Sequence, residues 1–109
     1  MIMASGETTN LRKFWDGLFG DQGTPQEAIA AAMQLPSPPQ DEVAISDPAF
    51  WVIESFAIAQ DDVYTRLIGP GAGPYQLDAD YEHRAHVVAD AQASLGGARL
   101  AKLINVALR

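Results

Sequence analysis

Asn10-Leu11-Arg12-Lys13-Phe14-Trp15-Asp16 is the stretch on which the reading of this chain turns. It reads as the first turns of a helix, with Asn10 placed to cap it through its side-chain oxygen. Leu11, Phe14, Trp15 and Leu18 recur at i, i+3, i+4 and i+7 and give one apolar face. Arg12 and Asp16 stand four apart, so their side chains leave the helix on one side. A His in place of Arg12 would form a metal-ligand pair with Asp16, because a helix holds positions i and i+4 at a separation that one zinc ion bridges. Arg12 keeps its proton and cannot serve as a ligand. This first helix is expected over residues 11–19, with Gly20 ending it.

Helical signals continue outward from there. Thr24-Pro25-Gln26-Glu27 is a capping box with proline at the first helical position, and Ala28, Ile29, Ala32, Met33 and Leu35 follow before Pro36 stops the helix. Ser37-Pro38-Pro39-Gln40-Asp41-Glu42 is a polar connection, and Val43-Ala44-Ile45 packs on the core or forms a short helical turn. Asp47-Pro48 opens a third helix expected to reach about Ile68. Its apolar residues, among them Phe50, Trp51, Ile53, Phe56, Ile58 and Leu67, form a band too wide for a surface helix, which predicts a central helix contacted on more than one side. Gly69-Pro70-Gly71-Ala72-Gly73-Pro74 reads as a flexible connector, since no Lys-Ser/Thr follows it and no strand precedes it. A fourth, long helix is expected from Asp78 or Asp80 to Ala107, continuing through Gly96-Gly97. The fold class is therefore all-α, with four main helices in a single domain over residues 1–109, the third central and the fourth long.

Composition narrows the function. Fourteen acidic residues against seven Lys and Arg give a formal net charge of −7, which repels phosphate backbones unless bound metal reverses the local field. With no cysteine, neither a disulfide nor a thiolate metal site can form. No apolar run approaches the ~18 residues that span a bilayer, and residues 1–10 show neither a basic region nor an apolar run of a signal peptide.

Several residues carry possible chemistry, each beside a plainer reading. Asp16 is a zinc ligand or the i,i+4 ion-pair partner of Arg12. His83 and His86, with Asp80, Glu82 and Asp90 nearby, could hold a divalent metal weakly, or lie on a solvated face with a His86–Asp90 pair. Glu54, inside the apolar band, is a general acid or base, or a buried carboxylate bonded to a neighbouring helix. No Ser-His-Asp set is evident.

The opening stretch resembles the N-L-H-x-x-W-D motif of the zinc-dependent, single-strand-specific nucleases of the S-one/P-one type, in the phospholipase C/nuclease P-one superfamily. The likeness runs on through Trp51-Val52-Ile53-Glu54-Ser55, Val63-Tyr64 and Gly96-Gly97-Ala98-Arg99-Leu100-Ala101 to Ile104-Asn105. By resemblance the motif residues are Asn10, Trp15 and Asp16, with Asp16 at a zinc-ligand position and Arg12 where the family has its second ligand. The resemblance implies an all-helical fold, a phosphodiesterase cutting RNA and single-stranded DNA, and a three-zinc cluster that activates water. Family members are usually secreted or periplasmic. It also implies that the chain corresponds to the C-terminal half of such a domain, a truncated nuclease-like unit with most zinc ligands lying in the other half. The isolated chain is thus expected not to hydrolyse nucleic acid. Its partner is expected to be a second copy, most simply in a dimer, or a complementary chain supplying the missing half of a split nuclease.

Overall fold

The computed structural model describes residues 3, 6, 8–20, 23–65 and 75–109. They form five α-helices, α1 (Leu11–Asp16), α2 (Pro25–Met33), α3 (Gln40–Val43), α4 (Pro48–Ile58) and α5 (Ala79–Ala107), and no strand appears among them. A single π-helical turn, Ala59–Val63, extends α4. The connector at 69–74 and the expected last turn of the third helix at 66–68 lie outside the described residues.

Four of the helix starts are made by a short polar side chain that takes a backbone N–H which the helix itself leaves unpaired. Asn10 accepts from Lys13 N at 2.8 Å, Thr24 from Glu27 N at 3.2 Å, Asp47 from Ala49 N at 3.0 Å and Asp78 from Tyr81 N at 2.8 Å. Proline follows the cap in α2 and α4, where its fixed φ suits the first turn and its missing N–H costs nothing. α1 is shorter than its apolar spacing suggests. Gly17 caps it, and the chain turns through Leu18 and Phe19 to Gly20, whose φ of +68° suits a residue without Cβ.

α5 has 29 residues and is about 43 Å long. Its buried residues, Tyr81, Ala85, Val88, Leu95 and Arg99, with half-buried Gln92, step by alternating fours and threes, so one seam faces the rest of the chain for five turns. Phe14 of α1, Leu77 and the first turns of α5 make the core, flanked by Met3, Leu11, Trp15, Leu18 and Tyr75. Further along, α4 and α3 cover the seam at Arg99. Gly96 and Gly97 stay helical, as the sequence suggests.

Two expectations are corrected. The third helix stops at Ile58, and Tyr64 leaves helical geometry after the π turn, well short of residue 68. Nor is α4 enclosed within the chain, for none of its residues is buried. Only Trp51, Glu54 and Ile58, at i, i+3 and i+7, are half-buried against α5, while Phe50, Val52, Ile53 and Phe56 are exposed. The physical reason is scarcity of neighbours. With α1 and α2 at other positions along α5, none of the described residues buries the outer side of α4. The molecule is accordingly a slab of 51 × 33 × 19 Å with a radius of gyration of 16.0 Å, against about 13 Å for a compact chain of this length.

Candidate functional site

The motif residues sit where α1 meets the start of α5. Trp15 points inward: its indole N–H donates to the Tyr81 hydroxyl at 3.2 Å, and that hydroxyl donates to the Val63 carbonyl at 2.8 Å. The Trp15 ring meets the Phe14 and Tyr81 rings edge-on, at centroid distances of 6.0 and 6.3 Å. One phenol thus joins α1, the π turn and α5. Burial pushes its pKa up, against a smaller opposing effect of the Trp15 hydrogen bond. Asp16 points outward. Its carboxylate lies 3.5 Å from Arg12 Nε, with the two side chains 71% and 90% exposed.

The remaining residues are dispersed. His83 and His86 are exposed on α5, and His86 borders a cleft of about 190 Å³ with Lys13, Phe14 and Glu82 among its other walls. Among the described residues no His86–Asp90 ion pair forms, and salt bridges run through Arg12, Arg84 and Arg99. Arg84 Nε donates to Asp62 at 2.9 Å and ties the π turn to α5. Among the described residues no group of three or more His, Asp or Glu gathers where one ion could be held. The donor set therefore does not fit the zinc cluster that the resemblance implies: Asp16 is one carboxylate, already facing a guanidinium that cannot ligate.

Glu54 lies in the most highly connected polar group. Arg99 Nη1 donates to its Oε2 at 2.7 Å and Nη2 to its Oε1 at 2.9 Å. Nη2 and Nε of Arg99 also donate to the Glu42 carbonyl, at 2.9 and 3.3 Å. The guanidinium lies 5.2 Å from the centroid of the Trp51 ring, whose N–H is held by the Ile45 carbonyl at 2.8 Å. The Arg99 hydrogen bond holds the Glu54 carboxyl below its usual pKa, and Glu54 in turn raises that of Arg99. Every nitrogen of Arg99 is engaged, so the group fixes α3, α4 and α5 against one another and offers no free cation to an anionic ligand. The role of Arg99 was not read from the sequence. The signal was there: it is the one charged residue on the α5 seam, and Glu54 is the one charged residue of α4.

The largest unsatisfied feature is apolar. Ala49, Val52, Ile53 and Phe56, at i, i+3, i+4 and i+7, form a stripe on the side of α4 away from α5, and all are exposed. A second set, Leu100, Leu103, Ile104, Val106 and Leu108, is exposed at the end of α5. Accessible surface totals 7802 Å² for 11.7 kDa, about 1,900 Å² more than a compact monomer of that mass presents. No helix among the described residues is long and apolar enough to cross a membrane. No family model, curated protein or solved structure matches the chain.

Proposed function

We propose that this chain is a helical assembly module of nuclease-like descent, that a second copy covers the outer face of α4, and that the chain by itself does not cut phosphodiester bonds. The observation that carries the reading is the stripe Ala49, Val52, Ile53, Phe56. Four helix-spaced side chains without a charge stand in water on a helix that has no buried residue of its own. Exposed apolar surface of this extent marks an interaction site. The chain-wide excess of about 1,900 Å², shared among α2, α4 and the end of α5, leaves room for the ~800 Å² that one partner contributes to a standard interface. Two chains of net charge −7 repel at long range, and this uncharged stripe is a place where they can approach. In the assembly α4 becomes the central helix, with α5 of its own chain on one side and the second copy on the other.

The nuclease likeness enters as descent, on the motif residues Asn10, Trp15 and Asp16. Asn10 caps α1, Trp15 supports the core and Asp16 faces Arg12. These are structural uses of a motif whose ligand pair is broken. Light scattering and a zinc-supplemented assay on single-stranded DNA test the two halves of the reading. The expected results are a dimer and no turnover. A folded monomer at every concentration overturns the first half and leaves a complementary chain as the occupant. Chelator-sensitive cleavage overturns the second.

A further inference from the structure

We infer that what fills the outer face of α4 is the C-terminal end of α5 from the second copy. This rests on the assembly reading above and names the segment that makes the contact. Every residue of α5 from 100 onward is exposed, although the buried seam stops only at Arg99. Leu100, Leu103, Ile104 and Ala107 repeat the spacing i, i+3, i+4, i+7 of Ala49, Val52, Ile53 and Phe56. Both stripes are uncharged and of equal length. Their sizes are complementary: the α4 stripe opens on alanine and closes on phenylalanine, while the α5 stripe opens on leucine and closes on alanine. Parallel pairing sets small against large at both ends, which lets the side chains interdigitate.

Charge points the same way. Across residues 40–65 every charged side chain is acidic: Asp41, Glu42, Asp47, Glu54, Asp61 and Asp62. Across residues 91–109 every one is basic: Arg99, Lys102 and Arg109. Within one chain Arg84 holds Asp62, and of the three bases at the end of α5 Arg99 meets the acidic segment, through Glu54 and the Glu42 carbonyl. Lys102 and Arg109 remain for a second copy. The two stripes of a single chain cannot meet, because α4 packs on α5 through its opposite side. Two reciprocal contacts related by a two-fold axis close the pair.

Sedimentation equilibrium of the full chain, of Ile53→Glu, of Ile104→Glu and of an equimolar mixture of the two variants tests this. Each variant alone is expected to dissociate more than about tenfold more readily than the wild type, since a carboxylate enters an apolar seam. The mixture is expected to regain a dimer, because one of the two contacts is intact in the mixed pair. A monomeric wild type overturns the assembly reading together with this inference. An Ile104→Glu chain that associates like the wild type, or a mixture that stays monomeric while both variants keep their helical circular dichroism, overturns this inference alone. The chain lacks cysteine, so disulfide trapping has no background thiol: Ala49→Cys is expected to cross-link to Leu100→Cys, and preferential cross-linking to itself or to Ala107→Cys overturns the inference.

Discussion

Arg99 and Glu54 are joined through two parallel hydrogen bonds of 2.7 and 2.9 Å, from the only charged residue on the α5 seam to the only one on α4. The geometry is the two-pronged guanidinium–carboxylate fit, which sets orientation as well as attraction. Arg99 is 8% exposed, whereas the Glu54 side chain keeps 27% of its surface. Arg99→Met leaves a partly buried carboxylate and the Glu42 carbonyl without their donor. It is expected to cost about 3 kcal/mol, the low end for a broken buried pair because Glu54 is partly solvated. The melting temperature should fall by roughly 10–20 °C. The double change Arg99→Met with Glu54→Leu should recover much of that loss, as well-packed apolar pairs do. Urea titration of the three variants checks both expectations.

Stability should fail at both pH extremes for separate reasons. The folded Glu54 carboxyl has a lowered pKa, so its contribution is complete above the ordinary carboxylate range and is lost as the pH falls below about 4. The folded Tyr81 phenol has a raised pKa, so its contribution is complete below about pH 10 and is lost as the pH rises beyond that. Glu54→Gln should flatten the acid limb of a stability–pH curve and Tyr81→Phe the alkaline limb, with neither variant altering the other limb. Tyr81→Phe also strips the Val63 carbonyl and the Trp15 N–H of their partner, at about 1–2 kcal/mol.

Zinc should not stabilise this chain. A ligand that binds only the folded state raises stability by about 2.7 kcal/mol at a hundred times its dissociation constant, and one carboxylate beside Arg12 supplies no such site. The expected outcome is the same melting temperature with zinc and with a chelator. Asp16→Ala should change stability by no more than a few tenths of a kcal/mol, because both partners of its ion pair are solvated. A zinc-dependent rise in melting temperature that Asp16→Ala removes would show that the ligand count is wrong.

Much of the fold is legible because it is written locally. Asn10, Thr24, Asp47 and Asp78 each announce a helix start by chemistry that involves only the next three residues. The ends are less legible. α1 stops at Gly17 rather than Gly20, and the third helix stops at Ile58, because a helix end depends on which later residues find contacts. The width of the α4 band predicts contact on several sides, whereas the described residues cover only the face of Trp51, Glu54 and Ile58, because a composition of apolar residues does not say which neighbours a helix will find. Arg99 shows the limit most plainly. Its partners, Glu42 and Glu54, are 57 and 45 residues away, and no local rule links them. Trp15 is the mixed case, since its motif position suggests a metal centre while its N–H is spent on Tyr81.

Gly96 and Gly97 give the last prediction. Inside a long helix each glycine costs about 0.5–1 kcal/mol relative to alanine, and a Cβ at either position would meet nothing within 4 Å among the described residues. None of the described residues of the monomer uses the room they leave. Gly96→Ala and Gly97→Ala, made in the Ile104→Glu chain that cannot assemble, should therefore each raise the melting temperature by roughly 2–8 °C. Gly96 lies four and seven residues before Leu100 and Leu103, at the foot of the α5 stripe, where a partner helix would approach its backbone most closely. In the wild-type background the same Gly96→Ala change should weaken association while it strengthens the helix. Thermal melts at low and high protein concentration separate the two effects: the variant should melt above the wild type when dilute and lose that advantage when concentrated. An equal gain at both concentrations would mean that no partner packs against Gly96.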